Sequence, residues 1–157
     1  MKQTKSSKQE SAGRLINEIS RGSHMYFQHK FKEYNIGHAQ VRTLFHIASN
    51  EGLTNKQIGE LLNLDKSSIT SQLQILERNG YIIRTTSKTD ARVQVIDITD
   101  KTREIMKPIR KVLSSWTETL LDGFNENERA DIFNYLERMS NNAKNKLSEI
   151  QNTPQEK

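Results

Sequence analysis

The chain has 157 residues, with 24 Lys and Arg against 19 Asp and Glu for a net charge of +5, and is 33% hydrophobic and 27% charged. That size allows one domain, or one domain with dimerisation arms, and the composition is that of a soluble, helix-rich protein. There is no cysteine, no apolar run approaches the length that spans a membrane, and the basic start Met1-Lys2-Gln3-Thr4-Lys5 is not followed by the apolar stretch of a signal peptide, so the chain reads as cytoplasmic.

The positive charge is concentrated. Residues 1–34 carry seven basic and three acidic groups and residues 55–92 carry six and four, a balance compatible with a nucleic-acid partner.

In chain order, residues 7–34 form a long helical pattern with Leu15, Ile16, Ile19, Phe27, Phe31 and Tyr34 on one broad stripe, interrupted at Gly22-Ser23. Asn35-Ile36-Gly37 ends it, and a second helix from His38 to about Ser49 buries Val41, Leu44, Phe45 and Ala48. The four histidines His24, His29, His38 and His46 share this region, but their spacing does not put three on one face, so no metal and no cofactor is expected. Thr54 and Gln57 have the spacing of a capping box, which starts a helix from about Asn55 to Leu62 with Ile58, Leu61 and Leu62 inward. Asn63-Leu64-Asp65 then interrupts. Asn63 tolerates a left-handed backbone, Asp65 caps a new helix from Lys66 to Asn79, and Gly80 terminates it.

Two helices joined so tightly must cross steeply. Gly59, Asn63 and Ile69 supply the small residue, the left-handed turn and the apolar anchor of a helix-turn-helix. In the second helix Ile69, Leu73 and Leu76 face inward, leaving Ser67, Ser71, Gln74 and Arg78 outward with Thr70 flanking, groups suited to base edges and phosphate oxygens in a major groove. Residues 81–86 and 93–99 are β-rich, the second run alternating Val93, Val95 and Asp97 against Gln94, Ile96 and Ile98. The polar loop between them reads as a wing: Lys88 and Arg92 reach phosphate or a minor groove, and Asp90 orients Arg92 or Arg84.

Thr99 caps a further long helix to about Leu121, with Ile105, Ile109, Val112, Trp116 and Leu120 on its stripe and Pro108 as a harmless bend. Asn125 with Glu128 starts a last helix carrying Ile132, Leu136, Met139, Ala143, Leu147 and Ile150. Stripes this long cannot be buried within one subunit of this size, so the reading is a two-fold homodimer that presents two reading helices about one DNA turn apart to a pseudo-palindromic site. The organisation is therefore residues 1–36 as an N-terminal dimerisation helix, 37–99 as the winged helix-turn-helix, 100–151 as C-terminal dimerisation helices and 152–157 as a flexible tail.

The wing motif Asp90-Ala91-Arg92 followed by Ile98-Thr99, the run Leu64-Asp65-Lys66-Ser67-Ser68-Ile69-Thr70 and the run Leu76-Glu77-Arg78-Asn79-Gly80-Tyr81-Ile82 resemble the MarR-type winged-helix transcriptional regulators, over roughly residues 16–147. Ser71 and Ile75 stand where that family often has basic residues, and Gly59 replaces its usual alanine, at a helix cost of about 1 kcal/mol.

The fold class is mainly α with a small β-wing (α+β). The candidate double-stranded DNA contacts are Thr54, Asn55, Lys56, Lys66, Ser67, Ser68, Thr70, Ser71, Gln74, Arg84, Lys88, Asp90 and Arg92. The resemblance implies a repressor whose DNA affinity a small-molecule effector lowers, aromatic or other, held between dimerisation helices and reading head. Some members of the family sense oxidants through a cysteine, a chemistry closed to this chain. The rival reading is a winged-helix protein-interaction module, against which the basic wing speaks. No nucleophile, base and orienter set supports an enzyme.

Overall fold

The computed structural model describes residues 11–50, 52–87 and 89–152, with the side chains of 151 and 152 excepted. Among them are six α-helices and one two-stranded antiparallel sheet: α1 (Ala12–Lys30), α2 (His38–Ser49), α3 (Asn55–Leu62), α4 (Lys66–Arg78), β1 (Ile82–Thr86), β2 (Gln94–Ile98), α5 (Asp100–Leu120) and α6 (Glu126–Asn152). The chain forms two compact units, Met1–Trp116 and Thr117–Lys157, with α5 running from the first into the second.

α1 is capped by the Ser11 hydroxyl, which accepts the Arg14 N–H. The helix is shorter than its periodicity suggests. It stops at Lys30, and a 3-10 turn at Lys32–Tyr34 leads into Asn35 in the left-handed conformation. Phe31 sits at that break fully buried, and packing it there takes precedence over helix continuity. Residues 7–10 lie outside the described residues.

Gly22-Ser23 does not interrupt α1. The Trp116 ring lies within 3.8 Å of where a Gly22 Cβ would stand, and its Nε1–H donates to Ser23 Oγ at 2.8 Å, so small residues here seat α5 against α1. Farther along, Phe27 and Phe31 join the core while Leu15, Ile16 and Ile19 stay exposed at 45%, 41% and 48%.

The first unit's core gathers Val41, Leu44 and Ile47 of α2, Ile58 and Leu62 of α3, Ile69, Leu73 and Leu76 of α4, Ile82 and Ile96 of the hairpin and Ile109 of α5. Two expectations need correction. In α2 the fully covered positions include Thr43 and Ile47, whereas Phe45 and Ala48 are half-buried on the flank. In α3, Leu61 is 50% exposed: the helix is so short that Ile58, Gly59 and Leu62 complete its buried face.

Thr43 can be buried because its hydroxyl donates to Gln72 Oε1 of α4 at 2.7 Å and approaches the Ala39 carbonyl at 3.1 Å. The far end of α4 is tied down as well. Asn79 Nδ2 donates to the Asn35 carbonyl at 2.8 Å, Tyr81 OH to the Tyr34 carbonyl at 2.7 Å, and Lys101 Nζ to the Asn79 carbonyl at 2.6 Å.

Thr99 caps α5, its Oγ1 accepting the Thr102 N–H, and the buried Thr102 hydroxyl donates to the Tyr81 carbonyl. α5 continues through Pro108, whose ring lies on the exposed side where water can solvate the carbonyl left without its partner.

In the second unit, Asn125 and Glu128 form the cap of α6, and Arg129 ties the turn together by donating to the Leu121 and Phe124 carbonyls and to Glu118. Along α6, Phe133, Leu136, Leu147 and Ile150 are all half or more exposed or nearly so, at 54%, 49%, 57% and 61%. Met139 of that stripe is also open at 38%, in contrast to Met106, buried at 7% in α5.

Candidate nucleic-acid interface

The tight α3–α4 junction rests on Asn63 and Gly59, and it follows a helix whose start closes on itself. Thr54 accepts the Gln57 N–H at 3.3 Å while Gln57 Oε1 takes the Thr54 N–H at 2.9 Å, so the start of α3 is closed within itself. Asn63 adopts φ 51°, turning the chain. Gly59 permits the approach that results: a Cβ there would lie 3.3 Å from the Leu64 carbonyl oxygen and 3.4 Å from Ile69 Cγ2.

Asp65 then organises the first turn of α4. Its Oδ1 accepts the N–H groups of Ser67 and Ser68, both at 2.9 Å, and its two oxygens accept the Ser67 and Ser68 hydroxyls at 2.6 Å each. Those hydroxyl and amide bonds, Ser67's first, hold the Asp65 carboxyl far below the usual carboxylate range, so it remains ionised at the positive end of the helix dipole. Both hydroxyl protons are taken up by the Asp65 carboxylate. Ser67 and Ser68 therefore offer lone pairs to solvent, and Thr70 likewise donates backward, to the Lys66 carbonyl at 2.6 Å.

Beyond that turn, Ser71, Gln74 and Arg78 point outward and exposed, with no side-chain partner among the described residues. Lys66 is exposed beside them. One cleft is shared by Asn55 and Lys56 of α3 and by Lys66 and Thr70 of α4, over an apolar floor of Gly59, Leu64 and Ile69. Lys56 is 86% exposed and only loosely paired with Glu60, at 3.7 Å.

The wing is a five-pair antiparallel ladder from Ile82↔Ile98 to Thr86↔Gln94, supported at its root by a bridge in which Ile96 N–H donates to the Leu53 carbonyl at 2.8 Å. Ile82 and Ile96 face the core, yet Val95 on the other face is also covered, so the simple alternation of the strand does not hold for burial.

At the tip, Ser87 N–H donates to the Val93 carbonyl at 2.8 Å and Asp90 Oδ1 accepts the backbone N–H of Arg92 at 2.9 Å. Asp90 thus shapes the turn that carries Arg92. It does not hold Arg84, whose guanidinium is half-buried and donates to Glu77 Oε2 and to Asn55 Oδ1, both at 3.0 Å. Asn55 and Arg84 are accordingly engaged with the protein. Arg92 is exposed, and Lys88 lies outside the described residues.

Glu77 was not among the sequence candidates. Its partner is seven residues away across a turn and a strand, a separation that no helix or hairpin rule connects. No group of three or more His, Cys, Asp or Glu side chains able to hold a metal exists among the described residues, and His38 instead stacks on Phe27 at 4.4 Å.

Residues 36–93 match the family model described as "MarR family". The regulator SarZ of Staphylococcus aureus, an HTH-type transcriptional regulator, is 31% identical over 107 residues, covering 67% of this chain and 70% of SarZ. This chain belongs to the MarR family. Among solved structures, the MarR protein of Peptoclostridium difficile superposes with a TM-score of 0.81 at 25% identity, over 96% of this chain and 98% of that one. MepR of S. aureus, solved in complex with DNA, shares the fold at 21% identity with a TM-score of 0.76, over 85% of this chain and 99% of MepR.

As a MarR-family transcriptional regulator the chain keeps the winged helix-turn-helix intact, and among its described residues no helix is long and apolar enough to cross a membrane. The outward face of α4 carries Ser71, Gln74 and Arg78, with Ile75 half-buried beside them.

Proposed function

We propose that this MarR-family chain is a homodimeric, sequence-specific DNA-binding repressor that lays α4 in the major groove of each half of a pseudo-palindromic operator and sets its wing on the flanking backbone or minor groove. The observation that carries the reading is the uncommitted outer face of α4. Ser71, Gln74 and Arg78, like Lys66, are exposed and unpaired among the described residues, on a helix whose remaining polar side chains, Ser67, Ser68, Thr70, Gln72 and Glu77, are bonded within the protein. Amides and hydroxyls so placed address base edges, and Arg78, Lys66, Lys56 and Arg92 address phosphates.

Exposed apolar residues of α1 and of α6 supply surfaces for a second copy. The regulator acts by binding, without turnover, and works beside the chromosome in the cytoplasm. A small-molecule effector that favours one dimer geometry lowers operator affinity by changing the half-site spacing.

The test is a gel-shift titration on the DNA upstream of the protein's own gene and on random DNA, at several salt concentrations, with sedimentation in parallel. A dimer is expected, with log affinity falling linearly with log salt and a clear preference for the upstream DNA. Equal retardation of both DNAs, or none, would refute the proposal.

A further inference from the structure

Arg84 lies on β1 opposite Ile96, on the hairpin face that carries the buried Ile82 and turns toward the helices. From there its fork reaches two elements at once: Nε donates to Glu77 Oε2 of α4 and Nη1 to Asn55 Oδ1 in the first turn of α3, each at 3.0 Å. The pair is partly shielded, with 30% and 40% of the two side chains exposed. Because the Leu53–Ile96 bridge joins the other strand to the segment that precedes α3, the contacts close a ring through α3, β2, β1 and α4.

We propose that Arg84 is a positioning residue, a latch that fixes the wing to the reading head so that Arg92 meets the DNA at a defined place, and that it makes no DNA contact itself. The idea rests on the DNA-binding reading above. An arginine is the side chain for the task, since one planar fork holds a carboxylate and an amide oxygen on different elements, which a lysine ammonium does not. Charge points the same way. Paired with Glu77, Arg84 adds little net field, whereas Arg92, bonded through its backbone, has an exposed guanidinium with no partner among the described residues.

The latch makes Arg92 depend on Arg84, which a mutant cycle reads directly. Operator affinity is measured for the full chain, Arg84→Met, Arg92→Ala and the double variant. Arg92→Ala is expected to weaken binding about ten-fold in the parent and less than about two-fold in the Arg84→Met background. Full additivity would mean that Arg84 contacts DNA independently, and would overturn the proposal.

Glu77→Gln is the gentler second variant. Removal of a negative charge from a DNA-binding helix should tighten binding if charge alone matters, and the latch requires it to weaken binding. A DNA-free arm separates the latch from the functional reading. Amide exchange at Ser87 and Val93, the N–H groups that close the wing loop, should accelerate in Glu77→Gln and Arg84→Met while Leu73 in the core of α4 keeps its protection. Unchanged wing exchange would sink the latch even if DNA binding stands. Failure of the parent chain to bind any DNA would sink the functional reading and leave the exchange arm to decide the latch.

Discussion

Thr43→Val isolates a polar tie between the middle of α2 and α4. The side chain is fully buried and its hydroxyl donates to Gln72 Oε1 at 2.7 Å, so valine keeps the shape and deletes the bond. The lost hydrogen bond is worth about 1 kcal/mol net, and stranding an acceptor adds part of a further 1–3 kcal/mol, since the half-buried Gln72 can turn toward water. The new methyl returns up to about 0.8 kcal/mol of burial. The sum is a loss of about 1 kcal/mol, a fall of about 2–4 °C in Tm for a chain of this size.

Replacing both partners, Thr43→Val with Gln72→Leu, removes the stranded acceptor and should restore most of the loss. Urea unfolding followed by far-UV circular dichroism, at one protein concentration because the dimer links stability to mass action, gives both numbers. If the double variant loses the sum of the two single losses, or if Thr43→Val alone is stabilising, the bond is not what holds this position. Operator affinity should stay within about two-fold in either case, because neither group faces outward.

Gln74→Ala should alter the ranking of operator variants more than it alters affinity for random DNA, measured side by side in gel shifts, and equal losses on both would put Gln74 on the backbone. His38 has its pKa lowered from 6.5, chiefly by desolvation against its neighbours and then by the positive charges of Arg42 and His24. A depressed value in the folded state means that its contribution to stability is complete above the ordinary pKa and is lost as pH falls below it, so thermal melts across that range should fall less steeply for His38→Gln. Hydrogen peroxide at mild dose should leave the protein–DNA complex intact, since the sequence has no cysteine. Fast release reversed by a thiol reductant would refute that.

The local parts of this molecule are legible in its residues because their causes span only three or four positions. Thr54 with Gln57, Asp65 with Ser67 and Ser68, and Asn125 with Glu128 are each a short-range pairing of a free N–H with a nearby oxygen, and Asn63 is a single residue that tolerates the left-handed turn. What stays hidden depends on distant partners. Arg84 reads as a DNA cation until Glu77 and Asn55 are seen beside it, and Asn55 reads as a DNA contact until its oxygen is found occupied. The burial of Thr43 rests on Gln72, 29 residues away in the chain, which no local pattern in α2 signals. Leu61 reads as core because periodicity counts faces without knowing how far a short helix is covered.

The seat of Trp116 gives the protein an optical gauge of its own. The sequence contains one tryptophan, and that indole is stacked on Tyr26 at 4.7 Å, bonded to Ser23 and laid over Gly22. Its emission therefore reports one place, the seam between α1 and α5, with no background from elsewhere in the chain. An event that pries this seam open wets the ring and shifts its emission to the red, whereas an event confined to the wing leaves the spectrum still. A titration with candidate effectors, read at this one fluorophore, sorts compounds that act through the long helices from those that merely compete at the DNA surface.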